Sequence, residues 1–471
     1  MIHLRGIEGQ TFAVMGLGGS GLAAVEALAA AGARVHAWDD DGARRKAAEA
    51  KGIALSDPAG GGWEGTQALV LSPGIPHTYP APHPVAASAR DAGVPIICDI
   101  ELLARAGSKA RFVGITGTNG KSTVTALIGH IFEIAGRRAA IGGNLGPAAL
   151  GLNDPGPGGV FVLELSSYQI ERIATAVFDI AVLINISPDH LDRHGGIDGY
   201  VAAKEGLFDL TRPGAVAVIG TDDAHCQAIE ERLAARGDLA LVPISGRSPV
   251  PGGVWVEDGH VLDGRAGTTR LIADLTQAPK LPGSHNAQNA AAAAAVALSA
   301  GISPRHVAKG LATYPGLPHR QETVRRIGAV TYVNDSKATN PDAALRAIAC
   351  YPQIYWIAGG RAKDGGFAEL TRARGTELTR VRHAFLIGEA ADDIAAALDG
   401  AIPHSHAATL EAAVADAHHM AQTAARGRTS GNGGPVVLLS PACASFDQFS
   451  DFAARGDAFR KAVATLEESA A

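Results

Sequence analysis

The sequence has few of the features that mark secreted, membrane-spanning or zinc-binding proteins. It contains only four cysteines, which are far apart and form no C-x-x-C pair: Cys98, Cys226, Cys350 and Cys443. This distribution argues against a disulfide framework and against a zinc site. The most apolar stretch, Ala290 to Leu298, is far shorter than the roughly 20 residues needed to cross a bilayer. The first residues, MIHLRGIEGQTF, lack the apolar core of a signal peptide. We therefore expect a soluble, cytoplasmic protein with reduced thiols.

The sequence also lacks an excess of positive charge. Its formal net charge is −6 at pH 7, and its lysines and arginines are scattered without forming a basic stripe. Nucleic acid is not an expected partner, because its phosphate backbone would be repelled overall. The chain does have length and apolar surface, with 471 residues of which 46% are hydrophobic and 19% charged. A single core stops growing near ~250–300 residues, so we expect several domains.

The most informative segment, residues 114–123, reads GITGTNGKST and follows the apolar run Ala110 to Val113. A strand, a glycine-rich loop and a helix that opens with Lys-Ser hold nucleotide triphosphates, because backbone N–H groups, a lysine and a hydroxyl surround the phosphates and Mg²⁺. The usual spacing requires glycine at position 115, where this chain has isoleucine. We therefore predict a shortened phosphate loop and use of ATP. The alternative is a glycine-rich turn with an incidental lysine.

A second glycine pattern lies near the start of the chain. FAVMGLGGSGLAAVEAL predicts a strand, glycines 16, 18 and 21 in G-x-G-x-x-G spacing, and a helix; the next predicted strand ends at Asp39 and Asp40. This pattern places a pyrophosphate at a helix N-terminus and an acid near a sugar or base, which fits NAD and UDP-sugars equally. A structural glycine turn is the alternative. The loop SPGIP, residues 72–76, is predicted at the same edge of the sheet.

Polar side chains also follow two apolar strands of the middle segment. Glu164 ends GGVFVLEL, and SPDHLDRH, with His190 and His194, follows DIAVLINI. A carboxylate and an imidazole at strand ends beside a phosphate loop could hold Mg²⁺, although Glu164 could instead cap the next helix. The two histidines have zinc-like spacing but no third ligand, and spacing alone leaves them as loop histidines. The pattern around Lys204 predicts a solvated residue on a helix.

The final segment repeats the strand-then-polar pattern. Strands are predicted in AVTYVND, QIYWIAGG, HAFLIGE and PVVLLSPACASFDQF, and a helix is predicted to begin at Asn340 and Pro341. The strand ends would bring a set of polar residues to one rim of the sheet: Asp335, Lys337, Thr339, Lys363 and Ser445. Each of these residues could equally be a turn former or a solvated charge. Residues 286–300, rich in alanine, predict a buried helix.

The alternation of β-branched runs with alanine-rich stretches predicts three successive α/β units. Connectors near Gly107 and Gly316 give boundaries of 1–107, 108–316 and 317–471.

Taken together, eight motifs occur in an order that resembles the Mur ligase family, the amino-acid ligases of peptidoglycan synthesis. They are GTNGKST, LELSSYQ, DHLDRH, GSHNAQN, LPHR, NDSKATNP, AGGRAKDG and SPACASFDQF. NDSKATNP and SPACASFDQF make the chain most similar to the D-glutamate-adding branch. GLGGSG and SPGIP extend the resemblance to nearly the whole chain.

The resemblance implies a fold and an activity. The fold is α/β with a Rossmann-like N-terminal domain for the UDP moiety, a central ATPase domain of the phosphate-loop type, and a Rossmann-like C-terminal domain for the amino acid. The activity is ATP-dependent addition of D-glutamate to UDP-N-acetylmuramoyl-L-alanine through an acyl phosphate, in cell-wall synthesis. The protein is expected to act as a monomer without nucleic-acid or membrane partners.

The resemblance also implies roles for individual residues. Catalytic residues and ligands of two Mg²⁺ ions are Lys121, Ser122, Glu164, His190 and a carbamylated Lys204. ATP contacts are Gly117, Thr118, Asn119, Gly120, Lys121, Ser122, Thr123, Asn286, Asn289, Arg320 and Asp335. Substrate contacts are Leu17, Gly18, Gly19, Asp39, Gly74, Asn144, His319, Lys337, Thr339, Lys363, Ser445 and Phe452. His194 has no matching role.

Other functions share part of this pattern. A sister Mur-type or folylpolyglutamate-type ligase would share the ATP loop, and an L-glutamate-adding variant would share nearly every motif. An NAD-dependent oxidoreductase would explain GLGGSG but not the ATP loop. A non-catalytic nucleotide-binding module would bind ATP without turnover.

Overall fold

A computed structural model describes residues 2–58, 62–363, 366–426 and 433–467 of the chain. Within these residues the chain forms two compact units. The first ends at Tyr314, and the second begins at Pro315 and also includes residues 279–285. The last two residues of the AGGRAKDG motif, Asp364 and Gly365, lie outside the described residues.

The first unit opens with a parallel sheet in the strand order β2-β1-β3-β4. Its strands β1–β4 are Thr11–Met15, Arg34–Trp38, Thr66–Leu71 and Ile96–Ile97. Helices α1–α4 are Gly19–Ala30, Gly42–Glu49, Pro84–Asp91 and Asp99–Arg105. All strands run in the same direction, so the loops after β1, β2 and β3 meet at one edge, as predicted for GLGGSG, the aspartates and SPGIP.

A larger sheet of the first unit has the order β13-β12-β11-β10-β9-β8-β5-β7-β6. Its strands β5–β13 are Arg111–Thr116, Ala139–Gly143, Val160–Glu164, Phe178–Leu183, Thr211–Gly220, Ala240–Ser245, Val254–Glu257, His260–Asp263 and Arg270–Asp274. Helices α5–α10 are Lys121–Ile134, Ser167–Ile170, Ile197–Glu205, Ala224–Arg236, Ser284–Ser299 and Pro304–Thr313. Strands β5–β11 pair in parallel, and β11, β12 and β13 pair antiparallel.

The sheet of the second unit has the order β14-β15-β19-β16-β17-β18. Its strands β14–β19 are Glu322–Ile327, Val330–Asn334, Ile354–Gly359, Val381–Ile387, His404–His406 and Val436–Leu439. Helices α11–α15 are Pro341–Ile348, Ala368–Arg372, Ala391–Leu398, Leu410–Ala425 and Phe452–Ala464. Strand β14 pairs antiparallel with β15, and the remaining pairs are parallel.

The predicted α/β fold class is confirmed, and the core shows why the sequence folds this way. Strand β7, with sequence VFVLE, is buried along its whole length, as expected for a strand covered on both faces. The alanine run of α9 is also fully buried, with residues 290–297 each 0% exposed, so the predicted buried helix is confirmed. The predicted helix start at Asn340 is confirmed, because its side chain accepts the N–H of Ala343.

The antiparallel strands were not predicted. Strands β11 and β12 are joined by Asp258 and Gly259, which both have positive φ, 49° and 77°. Asp-Gly is the typical pair for a two-residue hairpin turn, so the VWVEDGHVLDG segment carried a usable signal. No described helix has the length and apolarity needed to cross a membrane. The three domain boundaries remain predictions.

Helix α4 is anchored to the segment after α6 by a buried carboxylate. Glu101 is 0% exposed, and its oxygens accept the N–H groups of Ala174 and Thr175 at 2.9 and 2.8 Å. The Thr175 hydroxyl and Arg105 Nε donate to the same carboxylate at 2.6 and 2.8 Å. Burial by itself would raise the pKa of Glu101, but these hydrogen bonds outweigh it and hold the pKa below its ordinary value. The ionised carboxylate therefore stabilises the first unit.

We predict that Glu101→Gln lowers the free energy of unfolding by about 1.5–3 kcal/mol at pH 7, the range for hydrogen bonds to a charged group. The folded pKa is depressed, so the contribution of Glu101 is complete above its unfolded pKa and is lost as pH falls through the folded value. The difference in melting temperature between Glu101→Gln and wild type should be smaller at pH 4 than at pH 7. The exposed Glu49→Gln on α2 is the control. A difference in melting temperature that is the same at both pH values would contradict the prediction.

Candidate active site

The phosphate loop lies between β5 and α5, and two of its glycines cannot be replaced without strain. Gly117 and Gly120 have φ of 151° and 87°. A Cβ at Gly120 would lie 2.2 Å from Asn289 Oδ1. Helix α5 begins at Lys121 without a side-chain cap, so its first N–H groups point towards any anion bound at the loop.

Neighbouring strand ends hold the loop in place. Asn185 lies just after β8. Its backbone carbonyl accepts the Thr118 N–H, and its side-chain Oδ1 accepts the Asn119 N–H, both at 2.9 Å. The Thr118 hydroxyl donates to Ser187 O at 3.0 Å. Gly114 lies inside β5, where a Cβ would be 2.8 Å from the Phe178 ring. The residues from Gly117 to Thr123 thus form the loop and the first turn of α5.

Two lysines converge on this loop. Lys121 Nζ donates to Gly117 O and Thr118 O, both at 2.8 Å. Lys204 Nζ donates to Gly117 O at 2.9 Å and lies 4.4 Å from the centre of the Tyr200 ring. Burial, followed by the charge of Lys121, lowers the pKa of Lys204 well below its ordinary value. The Lys204 amine is therefore more readily neutral, and a neutral amine is a nucleophile.

The prediction of a solvated Lys204 was wrong, because the side chain is only 1% exposed. Helix α7 turns Tyr200, Ala203 and Lys204 towards the interior. These positions have the i, i+3, i+4 spacing of a buried helical face, which was the available signal. A strongly perturbed group beside a phosphate loop is a candidate functional residue.

Glu164 lies at the end of β7 and is 2% exposed. Its Oε1 accepts Asn144 Nδ2 at 2.8 Å, whereas the buried Oε2 has no hydrogen-bond partner among the described residues. A buried carboxylate oxygen without a donor is costly, and this site therefore suits a cation. The structure thus brings together Asn144 and Glu164, which were both predicted site residues.

The two histidines of the DHLDRH segment differ in environment. His190 has a φ of 54°, its side chain is 41% exposed, and its Nε2 lies 3.6 Å from Asp189 Oδ2. The His194 side chain is buried between Ser167 Oγ at 2.9 Å and Glu171 Oε1 at 3.3 Å. In the part of the chain that the structure describes, no group of three or more His, Cys, Asp or Glu residues is arranged to hold a metal. The buried His194 side chain thus contacts the segments of Ser167 and Glu171.

Asn286 and Asn289 occupy the first turns of α9. Asn289 Nδ2 donates to Asn286 Oδ1 at 2.9 Å, and both side chains are buried. The close approach of Asn289 to Gly120 places this pair beside the phosphate loop. The sequence named both residues only through the family resemblance.

At the first sheet, Asp39 supports the glycine loop directly. Its Oδ2 accepts the N–H of Leu17 at 2.7 Å, and its Oδ1 accepts the N–H of Asp41 at 2.9 Å. Gly18 is the N-cap of α1, which Gly19 begins, and no side chain caps this helix. The structure therefore shows Asp39 shaping the loop of Leu17, Gly18 and Gly19; its contact with a ligand remains a prediction.

In the second unit, several predicted residues meet beyond the end of β15. Asp335 Oδ2 accepts the Ser440 hydroxyl at 3.0 Å, and its Oδ1 accepts the Gln321 N–H at 3.1 Å. Burial raises the pKa of Asp335 to about 7. His319 accepts the N–H of Lys337 at its carbonyl, at 3.1 Å. Lys337 Nζ lies 3.8 Å from the centre of the Phe452 ring.

The neighbouring loops are tied together by Arg455, which sequence reasoning missed. This side chain is 1% exposed and donates to the Ser336 hydroxyl at 3.0 Å and to the carbonyls of Ser336 and Cys443 at 2.9 and 3.1 Å. It thereby joins the loops of Thr339 and Ser445. Arg455 shares one face of α15 with Phe459 and Val463, and an arginine in such an apolar stripe was the signal.

The remaining predicted residues lie on these loops or next to them. Thr339 donates its N–H to Lys337 O at 2.8 Å, and Ser445 is 2% exposed. Lys363 follows Arg361, whose backbone bridges to Ala444. Burial raises the pKa of Asp335, and the nearby charge of Arg320 offsets a part of that rise.

Comparison with known proteins gives consistent results. The model of the Mur ligase middle domain matches residues 115–297. The UDP-N-acetylmuramoylalanine--D-glutamate ligase of Paramagnetospirillum magneticum is 48% identical over 471 residues, which cover 100% of both chains. The ligase of the same name from Caulobacter vibrioides is 49% identical over 98% of this chain and 97% of its own.

Solved structures share the fold. The UDP-N-acetylmuramate-alanine ligase of Thermotoga maritima has a TM-score of 0.59 and 16% identity, over 97% of this chain and 99% of that one. The MurF ligase of Thermotoga maritima, solved in complex with ADP, has a TM-score of 0.55 and 16% identity, over 98% of each chain. These likenesses support the predicted fold.

We predict that Asp335→Asn makes the protein more stable than wild type by an amount that grows with pH. The folded pKa of about 7 lies above the unfolded value of 3.8, so ionisation of Asp335 destabilises the folded state increasingly between these two pH values. Asparagine stays neutral and can still bond to Ser440 and Gln321. The gain should approach about 4 kcal/mol at most above pH 7.

Melting temperatures of wild type and Asp335→Asn at pH 5 and pH 8 measure this effect. The exposed Asp416→Asn on α14 is the control and should show no such trend. A stability difference that is equal at both pH values would exclude the raised pKa.

Proposed function

Because the chain belongs to the Mur ligase family, and within it to the UDP-N-acetylmuramoylalanine--D-glutamate ligases, we propose that it is an ATP-dependent ligase that adds D-glutamate to UDP-N-acetylmuramoyl-L-alanine. The observation that carries the proposal is the 48% identity over the full length of both chains. The product would be a cytoplasmic precursor of peptidoglycan. We further propose a monomer with three domains, 1–107, 108–316 and 317–471.

The proposed reaction has two steps. The carboxylate of the L-alanine end attacks the γ-phosphorus of ATP, which forms an acyl phosphate and releases ADP. The amine of D-glutamate then attacks the acyl carbon, and inorganic phosphate leaves as the amide forms. Such phosphoryl transfer depends mainly on charge neutralisation and in-line positioning. Lys121 and the N–H groups from Gly117 to Thr123 would bind the phosphates, and Asn286 and Asn289 the adenine side.

The donors present fit Mg²⁺, which prefers oxygen ligands. The orphaned Oε2 of buried Glu164 and the buried hydroxyl of Ser122 supply such atoms at neighbouring strand and helix ends. Bound Mg²⁺ would neutralise phosphate charge. His190 and Lys204 are the proposed ligands of a second ion.

Lys204 would serve as a carbamate. Its neutral amine would add to the carbon of CO₂ as one C=O π bond of CO₂ opens onto oxygen, and a proton on nitrogen would pass to solvent, so that the side chain would carry a carboxylate. This exchange would remove the repulsion between two amines that share the Gly117 carbonyl, because Lys121 would then face a negative charge.

Amino-acid binding is proposed for the second unit. Thr339, Lys363, Ser445 and Phe452 would contact D-glutamate. His319 and Lys337 would also contact substrate, and Arg320 and Asp335 would contact ATP. Buried Arg455 would hold the loops of Thr339 and Ser445 in fixed positions relative to each other. Leu17, Gly18, Gly19, Asp39 and Gly74 would bind the uridine diphosphate end, and Asn144 the sugar-peptide end.

Phosphate release from ATP and Mg²⁺ with UDP-N-acetylmuramoyl-L-alanine tests the proposal, in three reactions with D-glutamate, L-glutamate or no amino acid. We expect release with D-glutamate alone. Lys121→Ala should reduce the rate at least ~100-fold, since a lost phosphate clamp of this kind removes several kcal/mol of transition-state stabilisation. Release with L-glutamate alone would change the substrate, and no release in any reaction would refute the proposal.

We also predict that Lys204→Ala is nearly inactive but partly recovers with added acetate or formate, because a small carboxylate can replace the missing metal ligand. Isotope-labelled bicarbonate should give a carbamate NMR signal in wild type that is absent in Lys204→Ala. The exposed Lys309→Ala on α10 is the control and should keep both signal and activity. Full activity of Lys204→Ala without added acid would show that the carbamate has no role.

A further inference from the structure

The loop after β3 is held by two arginines that come from the segments around the larger sheet of the first unit. The carbonyls of Leu71, Ser72 and Pro73 accept hydrogen bonds from the Arg172 guanidinium at 2.8, 3.2 and 3.3 Å. The next carbonyl, that of Gly74, accepts Arg193 Nη1 at 3.0 Å. Four consecutive carbonyls, residues 71–74, are therefore oriented by side chains outside their own sheet.

Arg172 is an unusual residue to find in this position. It is 3% exposed, and burial lowers the pKa of its guanidinium. Among the described residues it donates only to backbone carbonyls, those of the loop and that of Tyr168 at 2.8 Å. A buried cation without a hydrogen-bonded carboxylate is expensive, and the fixed planar fork of an arginine is well suited to bond several neighbouring carbonyls at once.

The loop that Arg172 holds packs directly on the glycine loop of β1. The Ser72 hydroxyl donates to Gly16 O at 2.8 Å, and the Ser72 N–H donates to Met15 O at 3.0 Å. A Cβ at Gly16 would lie 2.6 Å from Ser72 Cβ and 2.8 Å from Ile75 Cδ1. With so little space between the two loops, a shift of one would displace the other.

The geometry of one peptide unit shows what this arrangement achieves. The bond between Pro73 and Gly74 is not among the cis peptide bonds of the described chain, so it is trans. In a trans peptide the C=O and the following N–H point in opposite directions. The Pro73 carbonyl points to Arg172, and the Gly74 N–H therefore points away from the guanidinium.

We propose that Arg172 is a positioning residue for the uridine diphosphate end of the substrate, because it orients the residue 71–74 loop and the Gly74 N–H as a donor. This inference rests on the proposed function for the identity of the ligand. Arg193 supports the same loop from the DHLDRH segment. Neither arginine needs to touch the substrate.

Both arginines also follow residues proposed for metal binding. Glu164 is followed by the Ser166–Gln169 capping box of α6, and Arg172 lies just after that helix. Arg193 lies three residues after His190. The residue 71–74 loop is thereby fixed relative to the segments that begin at the metal-side residues. The UDP end of the substrate would thereby be held at a fixed position relative to its reacting carboxylate.

Titration of Arg172→Met with UDP and, separately, with ADP and Mg²⁺ tests the proposal by calorimetry. We expect the Kd for UDP to rise at least about tenfold, as for the loss of an oriented donor and its charged support, and the Kd for ADP to change less than about twofold. In steady-state kinetics the KM for UDP-N-acetylmuramoyl-L-alanine should rise by a similar factor, with kcat changing less. Arg172→Lys, which keeps the charge but not the fork, should lie between wild type and Arg172→Met.

Arg105→Met is the matched control. Arg105 bonds to Glu101 at 2.8 Å in the same region of the first unit but does not contact the residue 71–74 loop. Loss of this bond should lower the melting temperature of Arg105→Met but leave its Kd for UDP unchanged. If Arg172→Met does not fold, Arg193→Met, which removes only the bond to Gly74 from this loop, should show a smaller loss of UDP affinity.

Three results would overturn the inference: UDP affinity of Arg172→Met no weaker than that of Arg105→Met, equal losses of UDP and ADP affinity, or no UDP binding by wild type. Failure of the proposed function is a separate outcome. If wild type binds UDP but does not turn over with D-glutamate, the proposed reaction is wrong, and the UDP titrations still decide the role of Arg172.

Discussion

The carbonyl oxygen of Gly117 is the acceptor on which the arrangement of the phosphate loop depends, because Lys121 and Lys204 both donate to it. Burial, followed by the nearby charge of Lys121, lowers the pKa of Lys204, so its ammonium yields a proton more easily. Gly117 can present its carbonyl in this way because its φ of 151° is accessible to glycine. The same carbonyl that helps to fix the loop therefore brings the two lysines together.

Buried polar side chains that bond to backbone hold the loops together in both units. Glu101 accepts backbone N–H groups of Ala174 and Thr175, and Arg172 donates to carbonyls of the residue 71–74 loop. In the second unit, Arg455 donates to the carbonyls of Ser336 and Cys443. Strands set the ends of these loops but not their paths, so groups that bond to several backbone atoms at once are what define the loop conformations.

Much of the fold was readable from local sequence. The strand preceding GTNGKST, the buried alanine helix α9 and the helix start at Asn340 follow from β-branched runs, alanine content and capping, and all three are present. The antiparallel strands after β10 were not predicted, although the Asp258-Gly259 pair is typical of a hairpin turn. Lys204 was misjudged because a lysine is usually exposed, while the spacing of Tyr200 and Ala203 indicated a buried face.

The α/β fold class, the phosphate loop and the placement of polar residues at strand ends could all be predicted from local sequence, because these depend on periodicity and on short motifs. Three features are visible only in the folded chain: Lys204 shares an acceptor with Lys121, Glu164 Oε2 has no hydrogen-bond partner among the described residues, and Arg172 supports the loop of another sheet. These properties arise from contacts between residues far apart in the chain. Their burial and hydrogen bonding depend on how strands and helices pack, which no local pattern specifies.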